Sequence, residues 1–219
     1  MRQIAQVKLY FSASYVTTVA SIKYLEKNEL VARLLERIRD ESYKRGAYPI
    51  SYESARFLYV VVVGIASARR ELTAVEVGTG LGFSTAWIAM GIIDAGVEGV
   101  IYTIEARRNV AQAAERFFDQ AGLASVVRVV TGDAKEVLKE LEGPFHLAFI
   151  DGKKSEYAKY LELLSPKMPK GAVLLAHNVL GPSPEAVAPF VEEITGSGRW
   201  ATTMLPLDPG GLSFSVKLL

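Results

Sequence analysis

The sequence predicts an α/β fold: a doubly wound, mostly parallel seven-stranded sheet that ends in an antiparallel hairpin and is preceded by helices. Three observations carry this. A glycine-rich turn, Gly78-Thr79-Gly80-Leu81-Gly82, separates a short β-prone run from a segment whose apolar residues recur at helical spacing. From Ala74 onward, short apolar runs alternate with amphipathic ones, as in a parallel sheet covered on both faces. Finally, the strand-like runs 200–205 and 212–218 are joined by Pro206-Leu207-Asp208-Pro209-Gly210-Gly211, which leaves no room for a helix and reads as a hairpin.

Taken in order, Leu25, Leu30, Val31, Leu34, Leu35 and Ile38 give residues 22–45 the pattern of an amphipathic helical arm, with Asn28 able to cap part of it. Pro49 interrupts this arm, because the residue before a proline is pushed out of helical backbone, and Ser51 can cap a second helix through about Arg70. Strand 74–78 then runs into the glycines and helix 83–95. Strand 100–105, helix 107–121, strand 126–131, helix 134–141, strand 145–150, helix 155–165, strand 171–176 and helix 184–196 follow. We read one domain over residues 1–219, with 1–50 as a helical arm or lid and 51–219 as the cofactor-binding and catalytic core.

Composition narrows the function. The 219 residues are half apolar, enough for one substantial core, and a net charge of +1 gives no basic footprint for nucleic acid. A small-molecule partner is the better expectation. The absence of cysteine removes disulfides, thiolate metal sites and a cysteine nucleophile, and fits a cytoplasmic protein. The longest apolar run, 59–66, is too short to span a membrane, and polar residues throughout the first 14 positions do not match a secretion signal.

In open parallel sheets ligands bind beyond the carboxyl ends of the strands, so the residues that end each strand are the candidates. Glu76, Gly78, Thr79, Gly80, Gly82 and Ser84 surround the first turn, where glycine lets a ligand approach the backbone and the following helix aims free N–H groups at an anion. A dinucleotide fingerprint would need glycine at position 83, which is Phe83. Glu105 ends the second strand, where it can accept from both ribose hydroxyls or serve as an acid at a helix start. Asp133, beside Ala134, can accept from an adenine amino group, cap the next helix, or do both. Asp151 ends the fourth strand and His177-Asn178 the fifth; if those strands are neighbours, the three side chains gather beside the cofactor and could hold one cation.

The order acidic-x-Gly-x-Gly-x-Gly at Glu76 to Gly82 resembles motif I of the class I S-adenosylmethionine-dependent methyltransferases. Over residues 47–219 the chain resembles their catechol and caffeoyl-CoA O-methyltransferase group, through Glu76 to Ser84, Glu105, Gly132-Asp133-Ala134, the Asp-x-x-Lys-x-x-Tyr spacing of Asp151, Lys154 and Tyr157, and the closing hairpin. The resemblance implies S-adenosyl-L-methionine as cofactor, with Glu76 near its amino group, and Ser84 and the Ile50 backbone near its carboxylate. It also implies a divalent cation, usually Mg²⁺, held by Asp151 and Asn178, and Lys154 as general base toward a small phenolic or catechol-like hydroxyl. This chain has His177 where the group has its second aspartate, and imidazole suits Mn²⁺ or another softer ion better than Mg²⁺. His177 therefore stands as a ligand of such an ion, as a general base, or as a structural residue. The helical arm reads as an acceptor lid or as a homodimer interface. A Rossmann-type oxidoreductase, a non-catalytic cofactor sensor and a nucleic-acid methyltransferase are the alternatives; the last lacks its Asn/Asp-Pro-Pro-aromatic turn here.

Overall fold

A computed structural model describes residues 29–219, so Ile22, Leu25, the cap expected at Asn28 and the start of the expected arm lie outside the described residues. Helix α1 (Glu29–Lys44) buries Val31, Leu34, Leu35 and Ile38, the i, i+3, i+4, i+7 stripe of its sequence. Helix α2 (Tyr52–Ser67) begins at the Ser51 cap, whose hydroxyl accepts from the Ser54 N–H at 3.0 Å. It stops short of Arg70, because strand β1 (Glu71–Val77) starts three residues before the expected Ala74 and residues 68–70 make the turn.

The remaining elements follow the expected alternation: α3 (Phe83–Ala95), β2 (Glu98–Glu105), α4 (Arg108–Gln120), β3 (Val127–Thr131), α5 (Ala134–Glu140), β4 (Leu147–Ile150), α6 (Tyr157–Leu164), β5 (Val173–His177), α7 (Pro184–Gly196), β6 (Trp200–Leu205) and β7 (Leu212–Lys217). The helix expected from residue 155 is split, a 3₁₀ turn over Lys154–Glu156 preceding α6.

The seven strands lie in the order β3-β2-β1-β4-β5-β7-β6, with β7 antiparallel to both of its neighbours and the other pairs parallel. Alternation of side chains along the strands sorts the core onto two faces. Ala74, Phe149 and Leu175 join α1 to α4 on one face, while Val75, Val77, Ile150 and Leu174 join α5 to α7 on the other. Both faces are covered, which is why β4 and β5 are buried along their whole length. Among the described residues, no helix is long and apolar enough to cross a membrane.

The chain runs outward from β1 to β3 and returns to place β4 on the other side of β1. That reversal puts the ends of β1 and β4 side by side, Val77 in register with Ile150. It fixes where a ligand can enter.

Candidate active site

A cavity of about 430 Å³ opens at this switch point. Its wall includes Ile50, Gly78, Thr79, Gly80, Ser84, Glu105, Asp133, Ala134 and Asp151, nine residues that the sequence offered for a cofactor. Two others are placed differently. Gly82 sits behind the wall at the start of α3 with φ 96°, and a Cβ there would lie 2.5 Å from the Phe118 ring, so its glycine serves the packing of α3 on α4. Glu76, also off the wall, is fully buried beneath the turn.

The turn itself is held by backbone and carboxylates. The N–H groups of Gly78 and Thr79 both donate to the Ile104 carbonyl, at 3.0 and 3.2 Å, and Gly80 N–H donates to Glu105 Oε2 at 3.0 Å. Gly78, at φ +102°, lies so close to the end of β4 that a Cβ would meet the Asp151 carbonyl oxygen at 2.5 Å. Glu105 Oε1 accepts from Arg107 N and Nε, each at 3.0 Å. With three of roughly four acceptor directions used internally, Glu105 keeps about one for a ligand hydroxyl. Asp133 lines the cavity and also caps α5, accepting from Lys135 N at 2.8 Å.

Glu76 is surrounded by hydroxyls: Ser84 donates to Oε1 at 2.5 Å, Thr103 to Oε2 at 2.6 Å, and Thr85 also to Oε2. Thr103 in turn meets Thr79 Oγ1 at 2.7 Å, so this carboxyl braces the glycine turn from below. Burial pushes it up to about 7, the hydroxyl bonds offsetting only part of the penalty and the charge of Asp151 adding to it. A carboxyl raised on folding holds its proton longer in the native protein. Its contribution to stability is therefore full below about 4.5 and is lost as pH rises through about 7. Glu76→Gln is expected to remove on the order of 3 kcal/mol of this pH dependence. Urea titrations of both proteins at pH 5 and pH 8 check it; parallel pH slopes would refute it.

The ends of β4 and β5 carry a polar cluster. Asp151 Oδ1 accepts from Lys154 Nζ at 2.8 Å, and Lys154 lies 5.3 Å from the centre of the buried Tyr157 ring, whose hydroxyl donates to the His177 carbonyl at 2.9 Å. The His177 ring stands between two carboxylates. Its Nε2 is 3.0 and 3.1 Å from the two oxygens of Asp208, and its Nδ1 is 3.5 Å from Asp151 Oδ2, an ion-pair distance at which the buried Nδ1 has no hydrogen-bond partner. Burial lowers the pKa of His177, but the close carboxylates of Asp151 and Asp208 outweigh it and the net shift is upward. For Asp208, burial opposes ionisation while Ser54 and His177 favour it, and the net shift is downward.

Asp208 and Ser54 were not legible as site residues. Asp208 reads as a turn former, and it is one, accepting from Gly210 and Gly211 N–H at 3.0 Å. Its second role follows from register: His177 pairs with Leu212 across β5 and β7, which folds the preceding hairpin loop over the ring. Ser54 Oγ completes the contact, donating to Asp208 Oδ2 at 2.7 Å.

Of the three implied cation ligands, Asp151 and His177 face one another, with Oδ2 and Nδ1 at 3.5 Å. Asn178, in left-handed backbone at φ 59°, lays its side-chain amide against Gly210 of the hairpin loop. Asp151 has an ammonium on one oxygen and an imidazole facing the other. Mg²⁺ needs an oxygen-rich octahedral shell, and these residues do not fit it. A softer ion would find two protein donors, fewer than the three of a typical catalytic zinc site. Among the described residues no group of three or more histidines, cysteines, aspartates or glutamates is arranged around a common metal position.

Comparison with known proteins agrees with this architecture. Residues 75–179 match the model of a methyltransferase domain family. A catechol O-methyltransferase from Mycobacterium tuberculosis is 37% identical over 132 residues, covering 60% of this chain and 57% of that protein. A second, from Niastella koreensis, is 30% identical over 138 residues, covering 61% and 59%. The matched segments thus span little more than half the length of these curated relatives. An O-methyltransferase from Bacillus cereus, solved in complex with S-adenosylhomocysteine, has the same fold, with a TM-score of 0.74 at 24% identity over 90% of this chain and 96% of the other. Residues 75–179 thus form a methyltransferase domain built on a glycine turn at a topological switch point, in a chain similar to catechol O-methyltransferases.

Proposed function

We propose that this chain transfers the methyl group of S-adenosylmethionine to a hydroxyl of a small aromatic acceptor of the catechol type. The observation that carries the reading is that Asp151, paired with Lys154, stands on the wall of the same cavity as the Gly78 turn. The names of the two relatives supply the acceptor class. In this reading the donor lies along the turn, with its ribose at Glu105 and its adenine at Asp133.

Lys154, entering the reaction as the free amine after releasing its proton to solvent, takes the proton of the acceptor hydroxyl, and Asp151 steadies the ammonium that re-forms. The oxygen attacks the sulfonium methyl in line; the new O–C bond replaces the C–S bond and S-adenosylhomocysteine leaves. Neither Lys154 nor His177 lines the cavity wall, but the Lys154 side chain is 30% exposed and has one carboxylate neighbour, whereas that of His177 is 9% exposed with carboxylates at both nitrogens. Alignment of two bound reactants supplies most of the acceleration, several kcal/mol of barrier.

The loop between α1 and α2 forms the outer wall, where Tyr48 is 78% exposed and meets Tyr43 edge-on at 6.2 Å between ring centres. We assign this loop to acceptor recognition. Tyr48→Ala is expected to raise the acceptor KM about tenfold, the loss of one aromatic contact, with kcat little changed. Steady-state kinetics at saturating donor check it, and an unchanged KM would remove Tyr48 from the acceptor site. The function itself is tested by transfer of a labelled methyl to a panel of catechols and hydroxycinnamates, together with calorimetry. Binding of S-adenosylhomocysteine without binding of NAD, and label in an acceptor, are expected; NAD binding alone would point to an oxidoreductase.

A further inference from the structure

Asp151 and Asp208 approach one another only through what lies between them. Asp151 Oδ1 faces Lys154 at 2.8 Å and Oδ2 faces His177 Nδ1 at 3.5 Å. Asp208 Oδ1 receives Gly210 N–H and Gly211 N–H at 3.0 Å, Oδ2 receives Ser54 Oγ at 2.7 Å, and His177 Nε2 lies within 3.1 Å of both. Every carboxylate oxygen of the cluster is therefore already faced by a group of the chain, His177 Nδ1 at ion-pair distance and the others at hydrogen-bond distance. The ring between them is 7% exposed, and Asn178, the remaining oxygen donor implied by the family resemblance, is turned to Gly210. An aspartate at position 177 would bring a second hard carboxylate beside Asp151; the imidazole brings instead a rigid ring that spans the gap.

We propose that His177, clamped by Asp208, fills the place of the divalent cation on the acceptor side of this site, so that the protein binds no Mg²⁺ or Mn²⁺ there and works without added metal. Asp208 and Ser54 are positioning residues in this arrangement. They hold the ring edge-on to Asp151, and Lys154 supplies the positive charge next to the reacting oxygen. The assignment rests on the proposed methyl transfer only for its last clause; the metal-binding clause is independent of turnover.

The test uses the full chain after dialysis against EDTA. Metal content by mass spectrometry is expected to be far below one ion per chain, millimolar Mg²⁺ or Mn²⁺ should leave the melting temperature unchanged, and methyl transfer should stay within twofold with or without chelator. His177→Asp restores the implied aspartate. That variant should gain a Mn²⁺-dependent rise in melting temperature, which Asp151→Asn in the same background should abolish. A wild-type protein that retains one metal per chain after dialysis, that is stabilised by Mn²⁺, or that loses at least tenfold activity to EDTA and regains it with Mn²⁺ overturns the proposal. So does a folded His177→Asp protein, native by circular dichroism, that ignores both ions. Should His177→Asp not fold, the wild-type metal content and melting curves decide alone. Should no acceptor be methylated, those same readings still decide the metal question, while the function fails separately.

Discussion

Replacing Asp151 by alanine is expected to lower kcat about 10³-fold while leaving S-adenosylhomocysteine affinity within about tenfold of wild type. The split follows from geometry. Asp151 borders the cavity at the end of β4, but in the proposed reading the donor is held mainly by the glycine turn, Glu105 and Asp133 on β1, β2 and the loop after β3. Removing the carboxylate takes away the partner of Lys154 at 2.8 Å and leaves His177 facing an empty corner. An unpaired buried group costs about 1–3 kcal/mol, so the melting curve must be recorded beside the kinetics. Asp151→Asn, which preserves shape and loses charge, should be nearly as inactive and melt closer to wild type. Single-turnover transfer with labelled donor separates binding from chemistry; equal losses in both would make Asp151 a cofactor ligand and not part of the reacting centre.

Gly78→Ala is expected to be the most damaging single methyl in the chain. Two effects add at this position. Its φ of +102° is a conformation that L side chains rarely adopt, and the new Cβ would sit 2.5 Å from the Asp151 carbonyl oxygen and 2.9 Å from its carbon, backbone that cannot swing aside as a side chain can. Left-handed backbone costs roughly 1–2 kcal/mol and overpacking roughly 1–3 kcal/mol more. A loss of about 3 kcal/mol lowers the melting temperature by about 10 °C in a domain of this size. Relief of the clash would move the turn away from β4, and donor affinity should fall at least 10²-fold, read by calorimetry with S-adenosylhomocysteine. Wild-type affinity in a stable Gly78→Ala protein would show that the close approach of β1 to β4 does not shape the donor site.

How much of this could be read from residues alone depends on the range over which each feature is determined. The alternation of strands and helices, the hairpin and the limits of α7 follow from local periodicity, and they appear in the structure nearly as expected. Helix α2 and strand β1 were misjudged at their shared boundary, since Glu71 looks polar in sequence and pairs into the sheet only because β2 lies alongside. Glu76 was legible as an acid before glycines, but not its direction. That is decided by Thr85 and Thr103, from α3 and β2, whose hydroxyls turn the carboxyl inward. Asp208 was invisible as a site residue for a similar reason: the contact joins positions 31 residues apart through strand register.

The loop from Asp208 to Gly211 reaches back to Ser54 and His177, so the pieces of the site mature at different moments of synthesis. Residues up to about 151 contain the glycine turn, Glu105 and Asp133, and can assemble as a nascent half-sheet while the rest is still being translated. The other half waits for residues 208–211 to emerge. A ribosome stalled before Pro206 would display a chain that carries the glycine turn, Glu105, Asp133 and Asp151 but whose His177 has no Asp208 to clamp it.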